Sequence, residues 1–152
     1  MNIALLLTRA ARSYGERAAI AYADHVYSYQ EMDRRVSHIA GALRGLGLLP
    51  GDRVVLFQRN QPQLLESLFA CWRAGIIAVP VNSRLLPKEA AYISENARAR
   101  ALIVSPEFAE VAATCGKATP ELLVVWTEKM RDAYSLDGLM ALGQDCQDAT
   151  VD

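Results

Sequence analysis

The chain has 152 residues, 52% hydrophobic and 22% charged, which suits one folded domain with a real core and does not fit a disordered chain. A net charge of −1 argues against a nucleic-acid binder, and no apolar run reaches the roughly 18 residues that a spanning helix needs. Cys71, Cys115 and Cys146 stand far apart with no C-x-x-C pair, so neither a zinc site nor a disulfide framework is expected, and a reducing cytoplasm is the expected location.

At the N-terminus the apolar run IALLL is short and is followed, not preceded, by Arg9 and Arg12, which is the wrong order for a secretory leader. Ile3, Leu6, Leu7, Ala10 and Tyr14 instead fall at helical spacing, with Gly15 as the stop. AAIAYADHVYSY reads as two short strands around a turn at Ala23, Asp24 and His25. Ser28 followed by Glu31 is the capping-box pattern. Met32, Val36, Ile39, Leu43 and Leu46 then continue as the stripe of a long amphipathic helix that Gly47 ends.

From Arg53 the period changes. RVVLF is a short continuous apolar run, as in a strand covered on both faces. Asn60 is a candidate cap, and Pro62 sits in the first turn of a helix predicted to bury Leu64, Leu65, Leu68, Phe69 and Trp72. Gly75 ends it before the strand IIAVPV. Pro87 opens a helix burying Ala90, Ala91 and Ile93. ALIV is the next strand, FAEVAA a short helix, LLVVW a further strand, and Ser135 to Leu142 a last short helix. Alternating strands and helices predict a mostly parallel sheet flanked by helices, with the opening antiparallel hairpin as an addition. Residues 1–142 are expected to form this α/β unit, and the polar tail 143–152 reads as a linker or a cut end.

Little in this pattern is a complete active site, and no catalytic residue or metal ligand is assigned. GLGLLPG has nearly the glycine spacing of a phosphate loop, but it follows a helix and leads into a strand, the reverse of what such a loop requires. His25 and His38 lack ligand partners at suitable spacing and read as solvated or structural. Asp33, Arg34 and Arg35 read as the wet face of the long helix, and Phe69 and Trp72 as packing residues. Arg84 is the exception. Asn82, Ser83 and Arg84 follow a strand and precede the helix opened by Pro87, where open α/β sheets gather ligands. Free helix N–H groups and a guanidinium fork there suit a phosphate. An arginine that pairs with Glu89 or a carbonyl at the joint is the alternative, and the residues alone leave both open.

SYQEM with the long helix, then LGLLPGDRVVLF, NQPQLLESLFACWRAGIIAVPVNSRLLPKEAAYI and ARALIVS, resemble the N-terminal part of the adenylate-forming acyl-CoA synthetases. The resemblance runs from about Leu6 to about Trp126. It implies an incomplete N-terminal subdomain of that fold. It also implies an enzyme that uses ATP and magnesium to turn a fatty or aromatic carboxylic acid into an acyl-adenylate, and then passes the acyl group to coenzyme A. The stretch Asn82-Ser83-Arg84-Leu85 resembles the Asn-x-Arg-Leu of bacterial CoA ligases, in some of which the matching arginine lies near the 3′-phosphate of coenzyme A. The family's Ser/Thr/Gly-rich loop, YTSGTTG-x-PKG, does not occur in the 152 residues, nor do the later nucleotide motifs and the C-terminal lysine. The chain is therefore expected to be the front of a synthetase, inactive alone and binding none of these cofactors tightly. A homodimer is left open. The rival expectations are a non-catalytic α/β binding or interaction module and the adenylation domain of a peptide synthetase.

Overall fold

A computed structural model of the chain describes residues 2–142; the expected linker at 143–152, with Cys146, lies outside the described residues. Helix α1 (Leu5–Tyr14) leads into a hairpin of β1 (Ala18–Tyr22) and β2 (His25–Ser28), and then into the long α2 (Tyr29–Gly45). The turn is tighter than the sequence predicts: Ala23 takes φ 50° and His25 is already paired with Tyr22. Ser28 caps α2 as expected, its Oγ accepting from the Glu31 N–H at 3.1 Å. Gly47, at φ +90°, ends the helix in a conformation that glycine adopts without steric cost.

Four strand–helix units follow: β3 (Arg53–Phe57), α3 (Pro62–Arg73), β4 (Ile77–Pro80), α4 (Pro87–Asn96), β5 (Ala101–Val104), α5 (Ala109–Ala118) after a 3-10 turn, β6 (Leu123–Trp126), β7 (Tyr134–Ser135) and α6 (Leu136–Leu142). All five strands are parallel, in the order β4-β3-β5-β6-β7. The α/β class predicted from the alternation holds, with the antiparallel hairpin outside the sheet. Strand β7 is an addition: two residues carry too little apolar pattern to announce a strand, and they pair only because the chain runs beside β6.

Successive residues of β3 and β5 point to opposite faces and build two cores. Val54, Leu56, Ala101 and Ile103 meet Val36, Ile39 and Leu43 of α2, Ala70 and Cys71 of α3, and Leu136 and Leu139 of α6. Val55, Phe57, Leu102 and Val104 meet Ala90 and Ala91 of α4 and Val111, Ala112 and Cys115 of α5. Burial on both faces explains why RVVLF and ALIV are unbroken apolar runs.

Helix α3 departs in part from its predicted orientation, although Leu64, Leu68 and Phe69 still pack against the core. Gln61, not Asn60, occupies the N-cap, and it makes no side-chain cap bond. Leu65 is 42% exposed and Leu64, Leu68, Phe69 and Trp72 are only half-buried, whereas Glu66, Ser67 and Arg73 are buried. On α4, Ile93 is likewise half-buried, and Ser94 takes the inward place beside Ala90 and Ala91.

Candidate functional site at the carboxyl ends of the strands

The order β4-β3-β5 makes the chain leave β3 in one direction and return past it in the other. The crevice between the carboxyl ends of β3 and β5 is thus the topological switch point, where ligands of open α/β sheets usually sit. Here that crevice is stitched across. Arg59, just after β3, forms an ion pair with Glu107, just after β5, and the Arg59 N–H donates to Ser105 Oγ at 3.3 Å.

An open groove of about 520 Å³ lies one strand over, between the ends of β3 and β4. Gln58 and Asn60 come from the β3–α3 turn, Leu64 from α3, and Asn82, Ser83 and Arg84 from the β4–α4 loop. The loop is shaped by its own side chains: Asn82 Oδ1 accepts from the Arg84 N–H at 3.0 Å, and the Leu85 N–H donates to Asn82 O at 3.1 Å. Glu89 turns back to the start of α4, where its Oε2 accepts from the Leu86 N–H at 2.8 Å. It does not pair with Arg84, and among the described residues the Arg84 guanidinium has neither an ion pair nor a hydrogen bond. Arg84 is exposed on the groove's rim.

The opposite wall is held from inside. Ser67 Oγ donates its one hydrogen to Gln63 O at 2.7 Å, so it can only accept from Gln58 Nε2, at 2.9 Å. That assignment fixes the Gln58 amide. Among the described residues its Oε1 is buried without a partner. Periodicity could not flag Gln58, because it extends an apolar strand by one residue and finds its partner nine residues on.

The other polar candidates are structural. His25 Nε2 lies 3.7 Å from Glu31, and His38 Nδ1 lies 3.1 Å from Met140 O. Asp33 and Arg35 are not simply the wet face of α2. Arg73 donates to Asp33 Oδ1 at 2.6 Å, to Asp33 O at 2.9 Å and to Thr8 Oγ1 at 2.7 Å, locking α1, α2 and α3 together. Arg35 Nε donates to the fully buried Glu66 at 2.5 Å. Burial lowers the Arg35 pKa, but the hydrogen bond and charge of Glu66 outweigh it and leave the guanidinium raised. Arg34 alone of the three is exposed. Burial pushes the Cys71 thiol up to about 12, and burial followed by the charge of Glu95 raises Cys115, so neither is an activated nucleophile. Among the described residues no three His, Cys, Asp or Glu side chains are grouped to hold a metal ion, and no helix is long and apolar enough to cross a membrane.

The parallel α/β layer thus carries an exposed arginine on the rim of a groove at its strand ends. Its family is set by comparison: residues 7–148 match the AMP-binding enzyme family, and the chain belongs to it. It is 40% identical over 105 residues to a feruloyl-CoA synthase of Amycolatopsis sp, covering 69% of this chain and 21% of that protein. A fatty acid–[acyl-carrier-protein] ligase, ScoC of Streptomyces coeruleorubidus, is 36% identical over 101 residues, which are 66% of this chain and 20% of that protein. The fold superposes on a benzoate CoA ligase from Burkholderia xenovorans LB400 with a TM-score of 0.91 at 22% identity, over 100% of this chain and 31% of that one. The chain thus spans about a fifth of the length of the curated relatives it matches.

Proposed function

We propose that the chain is the leading portion, residues 1–142 with 143–152 as linker, of an acid–thiol ligase. In its full-length form the enzyme joins a fatty or aromatic carboxylic acid to the AMP of ATP, releasing pyrophosphate. It then transfers the acyl group from the adenylate to the thiol of coenzyme A, releasing AMP. Membership of the AMP-binding enzyme family and the CoA ligases among its relatives support the reaction class. Magnesium would accompany the ATP, and no step through it is assigned to this chain's residues. The chain alone is expected to be inactive and to bind ATP and coenzyme A weakly, since the Ser/Thr/Gly-rich loop of the family is not among its 152 residues. A cytoplasmic setting agrees with the cofactors such a ligase consumes.

The observation that carries the residue assignment is the exposed Arg84 guanidinium, without a partner among the described residues, on the rim of a groove at the strand ends. A guanidinium fork matches a phosphate in charge and shape. We assign it to the 3′-phosphate of coenzyme A, a phosphate that the phosphopantetheine arm of a carrier protein lacks. In the full-length ligase, Arg84→Ala is expected to raise KM for coenzyme A by roughly tenfold, the value of an exposed charge-assisted hydrogen bond, and to leave pyrophosphate release unchanged. With 3′-dephospho-coenzyme A the variant and the parent should have equal KM. A loss shared by both half-reactions would remove Arg84 from the site.

A further inference from the structure

The start of α4 is expected from the sequence to offer free N–H groups to a phosphate, but the structure uses most of them internally. The Arg84 N–H donates to Asn82 Oδ1, the Leu85 N–H to Asn82 O and the Leu86 N–H to Glu89 Oε2. Pro87 has no N–H, and those of Glu89 and Ala90 donate to Leu86 O. An anion in the groove at the strand ends is therefore left mainly to side chains. Polar ones face it from both walls. Gln58, 4% exposed and with its Oε1 unpartnered among the described residues, lies on one wall, and Asn82, Ser83 and Arg84 lie on the other.

Asn82 has a fixed polarity there. A carboxamide carries an acceptor oxygen and a donor NH2. A backbone N–H only donates, so the atom that takes the Arg84 N–H at 3.0 Å is the oxygen, and this settles which end of the amide is which. With the oxygen turned to its own loop, the NH2 is the end left for a ligand, and Asn82 is exposed. We infer that Asn82 is a second phosphate-binding residue of this site, its Nδ2 donating beside the Arg84 guanidinium to the same terminal phosphate of the coenzyme. A phosphate monoester has enough free oxygens to take both donors at once. The inference rests on the ligase reading above for coenzyme A as the ligand, and on the loop geometry alone for Asn82 as a donor.

Asn82→Asp in the full-length ligase isolates the NH2. The carboxylate still accepts the Arg84 N–H, so the turn is kept while the donor becomes a charged acceptor. In urea the 152-residue variant should unfold at the midpoint of the parent. KM for coenzyme A is expected to rise tenfold or more, and KM for 3′-dephospho-coenzyme A to stay as in the parent. A carboxylate that merely paired with Arg84 would have a similar effect, and the Arg84→Ala background removes that route. There Asn82→Asp should still raise KM for coenzyme A several-fold. Asn82→Ser, whose hydroxyl accepts the same N–H without adding charge, should give a smaller rise that is again confined to the phosphorylated coenzyme. An unchanged KM in Asn82→Asp overturns the inference. So does a rise shared by both coenzymes, or one that vanishes in the Arg84→Ala background. An effect of Asn82→Asp on the phosphorylated coenzyme without any effect of Arg84→Ala would sink the Arg84 assignment and leave Asn82 standing. An enzyme that uses neither coenzyme overturns the ligase reading, and this inference with it.

Discussion

Arg73→Met is the sharpest single perturbation of this fold. The methionine keeps the apolar stem while removing the hydrogen bonds to Asp33 Oδ1, Asp33 O and Thr8 Oγ1. Arg73 is 2% exposed, so its charge has no access to water in the native state. Breaking a buried pair from one side costs about 3–5 kcal/mol, because the abandoned partner stays behind unsatisfied. The Asp33 side chain is 27% exposed and regains some solvation, which brings the expectation to about 2–4 kcal/mol. For a chain of this length that corresponds to a fall in Tm of roughly 5–12 °C. Urea unfolding followed by circular dichroism gives the free energy. Asp33→Asn on top of Arg73→Met should recover part of the loss, since it removes the stranded charge. A loss under about 1 kcal/mol, or no recovery in the double variant, would refute the view that this cluster locks α1, α2 and α3.

Ser28→Ala removes the acceptor for the Glu31 N–H and should cost about 1 kcal/mol in the same urea assay. Gly47→Ala places a Cβ at φ +90° and should cost about 1 kcal/mol, even though nothing lies within 4 Å to clash with it; an equal stability would show that the α2 stop is not conformationally strained. The Cys71 thiol has a folded pKa of about 12 against an ordinary 9.0. The folded state therefore holds a proton that the unfolded state gives up, and stability should be constant below pH 9 and fall as pH rises from about 9 toward about 12. Cys71→Ala should flatten that fall, and at pH 8 a thiol reagent should label Cys71 only as fast as the chain unfolds.

The parallel sheet was legible because each of its main strands is an apolar run of four or five residues set between amphipathic helices. The long α2 was legible from a stripe at spacings of three and four, with a serine cap and a glycine stop. Helix α3 was read only in part by the same reasoning. Leu64, Leu65, Leu68, Phe69 and Trp72 form the more apolar side, so periodicity turns that side to the sheet. The fold buries Glu66, Ser67, Ala70, Cys71 and Arg73 more deeply and leaves Leu64, Leu68 and Phe69 only partly buried against the same core, because Arg35 and Asp33, 31 and 40 residues earlier, supply the charges for Glu66 and Arg73. A pattern within one helix holds no record of a partner on another. Asp33 and Arg35 were read as a wet face for the same reason.

At the site, Arg84 could be singled out because it stands at a strand end, and its rival pairing with Glu89 depended on a rotamer that no sequence encodes. The structure gives Glu89 to the start of α4 and leaves the guanidinium to the groove. Topology adds a constraint on whatever completes the site. The switch point between β3 and β5 is bridged by Arg59 and Glu107, so access is displaced to the β3–β4 side. Strand β4 is one of the two edge strands of the described sheet, paired on one edge to β3, and Ile77 at its start is 51% exposed. A ligand in the groove is walled by this chain on both sides, by Gln58, Asn60 and Leu64 beyond β3 and by Pro80 to Arg84 at the end of β4. On the assignment proposed above, Arg84 on the rim of that groove would hold the phosphate end of a ligand by its guanidinium fork.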